Sequence, residues 1–173
     1  MALDMNEPRW LSPEERSAWL AVAALMAQLP AALDTQLQAD EQLSFFEYMV
    51  MAALSEQADR TMQMSVIAAV TSSSLSRLSH TAKRLEDQGF LRRERVAGPG
   101  RPTNAVLTDR GFAKVVAAAP GHVGQVRRLL IDNLDPAQLE ALRQIGHLFL
   151  DRIEPDSDGV RVAALRSFRE PGS

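Results

Sequence analysis

The chain has 173 residues, of which 46% are hydrophobic and 24% are charged, with a net charge of −3 and no cysteine. This length and apolar content predict one domain with a single core. The lack of cysteine excludes disulfides, thiolate metal sites and thiol redox chemistry, and the three histidines have no metal-ligand spacing. No apolar run is expected to reach the length of a membrane span and no signal-peptide pattern is present, so we expect a cytoplasmic protein without cofactor or membrane contact.

The first third of the chain is predicted to be helical. Ser12-Pro13-Glu14-Glu15 has the form of a capping box with proline in the first turn, and apolar residues recur at helical spacing from Trp19 to Leu37. Pro30 should kink or divide this helix, because its ring removes a backbone donor. Ser44-Phe45-Phe46-Glu47 is a second capping box, which predicts a helix through about Gln57.

A short helix near Ser65, a turn at Thr71-Ser72 and a second helix are predicted next. The inward stripe of this second helix is expected to contain Leu75, Leu78, Ala82 and Leu85. Gly89 is placed to end it in the left-handed conformation. The basic segment LRRERVAGPGRPTNAVLT then predicts a hairpin with Arg101 at its tip. A helix followed by such a hairpin is typical of a winged helix-turn-helix, which binds DNA.

The last part of the chain is again predicted to be helical. Thr108 caps a long helix in which Pro120-Gly121 should cause a bend, and Asp135 begins a final helix to Ile153. Residues 154–173 are polar, and we expect a mobile tail there. The predicted fold is mainly α with a small β-hairpin wing: a winged helix-turn-helix core flanked by N- and C-terminal dimerisation helices.

The charge of the chain is unevenly distributed. Residues 72–104 contain seven cations and three anions, a net charge of +4, so the rest of the chain carries −7. An acidic body with one basic face is the pattern expected of a DNA-binding protein, because only the contact surface needs to attract phosphate.

The helices outside the DNA-reading part have wide apolar stripes that must be covered. We divide a single domain, residues 1–153, into a reader at about 44–108 and dimerisation helices at 12–43 and 109–153. Two copies would present their recognition helices about 34 Å apart, which matches a palindromic site in double-stranded DNA. The alternative is a monomer whose flanking helices fold back on its own core.

The sequence resembles the MarR (multiple antibiotic resistance regulator) family of bacterial transcription factors over about residues 12–153. The resemblance lies in SLSRLSHTAKRLEDQGFLRR and GRPTNAVLTDRGFAKV. In the wing pattern of the family, an arginine is followed by a Leu-Thr pair and a glycine, here Arg101, Leu107-Thr108 and Gly111. The chain departs from the family at Pro99, where an aspartate commonly orients the arginine.

The polar face of the recognition helix supplies the predicted DNA contacts. This face carries Ser73, Ser74, Ser76, Arg77, His80, Thr81 and Arg84. Capping and phosphate contact are assigned to Ser72 and Ser74, and backbone phosphates to Lys83 and Arg84. Base edges are assigned to Ser76, Arg77, His80 and Thr81. Arg101 is expected at or near the minor groove.

The resemblance also implies repression and control by a small aromatic or amphipathic effector bound between the dimer helices and the reader. The residues expected along such a pocket are Trp19, Phe46, Tyr48, Met49 and Met51. Ordinary core packing is the alternative for each of them, because apolar stripes at helical spacing usually pack.

Two other functions compete with sequence-specific regulation. An architectural DNA-binding protein would show little sequence preference, and a protein-interaction module would reuse the winged fold without DNA. The sequence contains no nucleophile paired with a base, no glycine-rich phosphate loop and no metal cluster, so an enzyme is not expected.

Overall fold

The computed structural model of the chain describes residues 8–96 and 102–153. The predicted wing residue Arg101 and the predicted tail, residues 154–173, lie outside the described residues. The helices are α1 (Pro13–Glu41), α2 (Phe45–Ser55), α3 (Met64–Val70), α4 (Leu75–Asp87), α5 (Asp109–Leu129) and α6 (Pro136–Ile153). The strands are β1 (Thr61–Gln63), β2 (Leu91–Arg95) and β3 (Thr103–Leu107).

The first two helices begin where the sequence predicts. Ser12 and Ser44 both form complete capping boxes, in which the serine side chain accepts a backbone N–H and a glutamate returns to the serine N–H. Pro30 lies inside α1, which continues through it, so the helix is not divided. Packing of α1 against α2 and α5 offsets the local cost of this proline.

A three-stranded antiparallel sheet packs beside α2, α3 and α4. The strand order is β1-β3-β2. Ala105 of the central strand β3 lies opposite Met62 of β1 on one side and opposite Arg93 of β2 on the other. The β2–β3 hairpin was predicted from the sequence, whereas β1 was not. Together the sheet and helices bury a core whose largest fully enclosed side chains are Leu37, Leu43, Val50, Met51, Leu54, Ile67, Leu78, Leu85 and Leu91.

The junction between the hairpin and α5 is tightly built. Thr108 caps α5 through the Gly111 N–H, and its hydroxyl also donates to the backbone oxygens of Gly89 and Phe90. A Cβ added at Gly111 would lie 2.0 Å from the Phe90 oxygen, so only glycine fits there. Gly89 has φ +75, the predicted left-handed conformation.

The first C-terminal helix is longer than an interruption at Pro120-Gly121 would allow. Pro120 lies within α5, which continues through it, and the bend expected at this position stays a prediction. A short 3-10 turn, Ile131–Asn133, leads to α6, where Asp135 and Gln138 exchange backbone-to-side-chain hydrogen bonds of 2.8 and 3.0 Å. The predicted cap of the final helix is therefore present.

Large apolar surfaces remain uncovered on α1 and α6 within the single chain. No residue of α6 is buried, and the exposed side chains of these two helices include Trp19, Leu20, Leu25, Met26, Leu142, Ile145, Leu148, Phe149 and Ile153. The expectation that no apolar segment reaches membrane length is wrong for α1, because a run of alanines joins its larger apolar residues without a charge. One such helix near the N-terminus is weak support for a membrane span.

Candidate nucleic-acid interface

The turn that leads into α4 contains the predicted serines. Thr71 donates its hydroxyl to the Ile67 carbonyl at 2.7 Å and lies 3.0 Å from the Ser73 hydroxyl. Ser72 adopts a left-handed φ of 49, and Ser74 caps the helix by accepting the Arg77 N–H at 3.2 Å. The helix begins at Leu75, so Ser72, Ser73 and Ser74 precede it rather than form part of it.

The orientation of α4 confirms the predicted exposure or burial of most of its side chains and contradicts it for two. The exposed side chains on this helix include Ser76, Arg77, His80, Lys83 and Arg84. Thr81 is only 5% exposed and belongs to the buried face, so its prediction as an outward residue is wrong. Leu75, predicted to face inward, is 55% exposed. Leu75 is exposed because the first turn of α4 extends beyond the core. Thr81 is buried because the buried face of the helix is wider at its position.

The cations of α4 have specific partners. The guanidinium carbon of Arg77 lies 4.2 Å from the centroid of the Phe46 ring, in cation–π geometry. Arg84 forms a 2.8 Å ion pair with Glu47, and Lys83 lies 3.3 Å from Asp87 one turn away. Both arginines therefore contact the first turn of α2.

Strand β2, at the base of the hairpin, is hydrogen-bonded to α4. Arg93 on β2 donates to Glu86 on α4 through its backbone N–H and its guanidinium, at 2.7 to 3.0 Å. These hydrogen bonds hold the pKa of the Glu86 carboxyl below its usual value. From the sequence, Arg93 was predicted only as one cation of the basic face. The backbone N–H of Val96 donates to the Pro102 oxygen at 2.9 Å, at the limit of the described hairpin.

A cavity of 680 Å³ opens between α1, α2 and α4. Its walls combine cationic, acidic and aromatic side chains: Asp34, Phe45, Phe46, Arg77, His80 and Arg84. Such a mixture suits an amphipathic ligand with an anionic group, since an apolar body and a charge each find a partner there.

The chain is similar to solved structures of bacterial regulators. It is 34% identical to Sco3205 of Streptomyces coelicolor, a MarR family transcriptional regulator crystallised with DNA, over 90% of this chain and 98% of that one, with a TM-score of 0.83. It is also 34% identical to AbsC, a MarR family transcriptional regulator of the same organism, over 86% and 100% of the two chains, with a TM-score of 0.80. The chain belongs to the MarR family.

This membership confirms the family and the winged helix-turn-helix fold predicted from the sequence, and with them the class of DNA-binding transcriptional regulators. Sco5413 of Streptomyces coelicolor, 17% identical over 85% of this chain and all of that one, shares the MarR fold at a TM-score of 0.70. No protein-family model matches the sequence, and no curated protein matches it either.

The predicted effector-binding residues do not come together in this MarR family member. Phe46 lines the 680 Å³ cavity, whereas Tyr48 and Met51 are buried in the core and Met49 is half-buried on α2. Burial raises the pKa of the Tyr48 phenol. Trp19 is 52% exposed on α1. The packing alternative therefore holds for Tyr48 and Met51.

Proposed function

We propose that this protein is a homodimeric, sequence-specific repressor that binds a palindromic operator in the cytoplasm and catalyses no reaction. The observation that carries the proposal is the exposed polar face of α4 beside a basic hairpin, in a chain of the MarR family. A repressor acts by occupying its operator. The polar and cationic side chains on this face of α4 are of the types that bind bases and phosphates.

The DNA contacts follow from the exposure of α4. The first turn presents its N–H groups to a phosphate beside Ser72, Ser73 and Ser74. Ser76, Arg77 and His80 are proposed to reach base edges in the major groove, and Lys83 a backbone phosphate. Arg101 is proposed to contact the minor groove. Thr81 supports the helix from inside instead of touching DNA.

The uncovered helices support the homodimer. We propose that residues 12–43 and 109–153 cover each other's apolar stripes across a two-fold axis, and that residues 44–108 form the reader. Exposed apolar area of this extent on α1 and α6 is a feature of interfaces rather than of monomer surfaces. The two-fold axis would place two copies of α4 about one helical turn of DNA apart.

Effector control is proposed at the cavity between α1, α2 and α4. An aromatic or amphipathic anion could place its charge near Arg77 and His80 and its ring near Phe46. Because Arg77 is also a proposed base contact, a bound anion would compete for it. A ligand that acted instead by changing the separation of the two recognition helices would have to bind the two separations with different affinities.

Selection of bound fragments from a random duplex pool tests the proposal. We expect an inverted repeat with half-sites about 10 base pairs apart. Replacing Arg77 with alanine should cost about 1–3 kcal/mol and relax the preference at one position of each half-site. Salt-dependent binding without an enriched sequence would indicate an architectural protein. The absence of salt-dependent binding would indicate a protein-interaction module.

A thermal shift with phenolic carboxylates, abolished by Phe46→Ala, tests the effector site.

A further inference from the structure

A buried carboxylate links α2 to the recognition helix. Glu47, in the first turn of α2, is only 7% exposed. Its Oε2 accepts hydrogen bonds of 2.8 Å from both the N–H and the hydroxyl of Ser44, and its Oε1 accepts one of 2.8 Å from Arg84. Both oxygens of this carboxylate therefore accept hydrogen bonds, and Arg84 supplies the one cation that pairs with it among the described residues.

The same turn of α2 receives a second cation from α4 and a contact from α1. Arg77 precedes Arg84 by two helical turns, so both side chains lie on one flank of α4. The guanidinium of Arg77 stacks on Phe46, as described above. On the other side, the Phe45 N–H donates to Asp34 of α1 at 2.8 Å. Residues 45–47 thus connect α1 with α4 directly.

We propose that Arg84 is a positioning residue that holds the recognition helix against α2, and that it does not neutralise a DNA phosphate. If Arg84 turned toward DNA, the buried Glu47 carboxylate would lose its cation, which is costly in a protein interior. The charge of Arg84 is already balanced by Glu47, so a phosphate would gain little from it and few counterions would be released. This inference rests on the proposed reading of DNA by α4 and replaces the phosphate contact predicted from the sequence.

Salt dependence of operator binding separates the two roles. Lys83, the neighbouring residue, and its partner Asp87 one turn away are both exposed, so Lys83→Ala is the matched control. Its removal should lower the slope of log Kobs against log salt by about 0.9 per half-site, measured between about 50 and 200 mM salt. Arg84→Ala should weaken binding about tenfold through a misplaced base contact, with the slope of the parent.

A second variant tests the carboxylate itself and keeps the shape of the side chain. Glu47→Gln should weaken operator binding as Arg84→Ala does, and the double variant should bind no worse than either single one. If Arg84 contacted phosphate, Glu47→Gln would leave the affinity unchanged or increase it, because the competing anion is gone. Thermal unfolding of each variant shows that it is folded, and Glu47→Gln suffices for the test should Arg84→Ala not fold.

The outcomes distinguish this inference from the proposed function. A flattened slope or unchanged affinity for Arg84→Ala, with Lys83→Ala behaving as expected, would overturn the positioning role alone. If the parent protein itself showed no salt-dependent, sequence-specific binding, the proposed function would fail, and the inference with it.

Discussion

The reader and the flanking helices differ in how far their apolar side chains are buried within one chain. Between α2 and β3, residues such as Leu54, Leu78 and Leu91 are almost wholly enclosed by their own chain. Along α6 and the first half of α1, apolar residues of the same kinds face solvent in the single chain. The reader therefore has its core within one chain, whereas the apolar side chains of α6 and of the first half of α1 would need a second surface before their burial contributed to stability.

Removal of buried volume from the reader is expected to have the largest effect. Leu78→Ala should lower the free energy of unfolding by about 2–5 kcal/mol, because the fully enclosed side chain leaves a cavity. Leu75→Ala on the same helix is the matched control and should change it by about 0.5 kcal/mol or less. Urea unfolding of both variants measures the difference. Equal losses would mean that Leu75 packs in solution.

Charge placed on the proposed dimer interface is expected to have the next largest effect. Leu142→Glu combined with Phe149→Glu should convert the dimer to a monomer and weaken operator binding at least about 100-fold, since two half-sites are no longer held together. Gln144→Glu with His147→Glu adds two glutamates to the opposite face of α6 and should leave the dimer intact. Sedimentation and operator titration measure both effects. A dimer that survives the first pair would place the interface elsewhere.

The smallest expected effect depends on pH and arises where α5 meets α2. The ring of His122 lies 4.5 Å from that of Tyr48, and its Nδ1 is buried without a hydrogen-bond partner among the described residues. Burial lowers the pKa of His122. The unfolded chain takes up a proton near pH 6.5 and the folded chain only at lower pH, so stability should fall as the pH drops through about 6.5.

His122→Gln should reduce this loss of stability on acidification. Urea midpoints measured at about pH 7.5 and pH 5.5 for the parent and the variant provide the comparison. Parallel pH profiles for the two proteins would show that protonation of His122 does not oppose folding.

Local features of the fold were predictable from the sequence, and long-range ones were not. The caps at Ser12, Ser44 and Thr108 depend on residues three positions apart, and all are present. Strand β1 has three residues and exists through pairing with β3 more than forty positions later, so no local pattern indicates it. Pro30 and Pro120 lie in continuous helices because packing of a long helix outweighs the local cost of proline.

The site was predictable to the same extent. Helical spacing gave the correct face for Ser76, Arg77 and His80, but it cannot show where the core ends, which explains the errors at Leu75 and Thr81. The partner of Arg84 is 37 residues away in sequence, so its ion pair with Glu47 could not be foreseen. The DNA contacts themselves, the domain division and Arg101 stay predictions.

The close approach at Gly111 restricts how α5 can move. No room remains for even one carbon between the start of α5 and the Phe90 oxygen, in the turn that joins α4 to β2. The Thr108 hydroxyl donates to the Gly89 and Phe90 oxygens of the same turn. A displacement of α5 toward this turn would therefore have to move α4 and β2 with it.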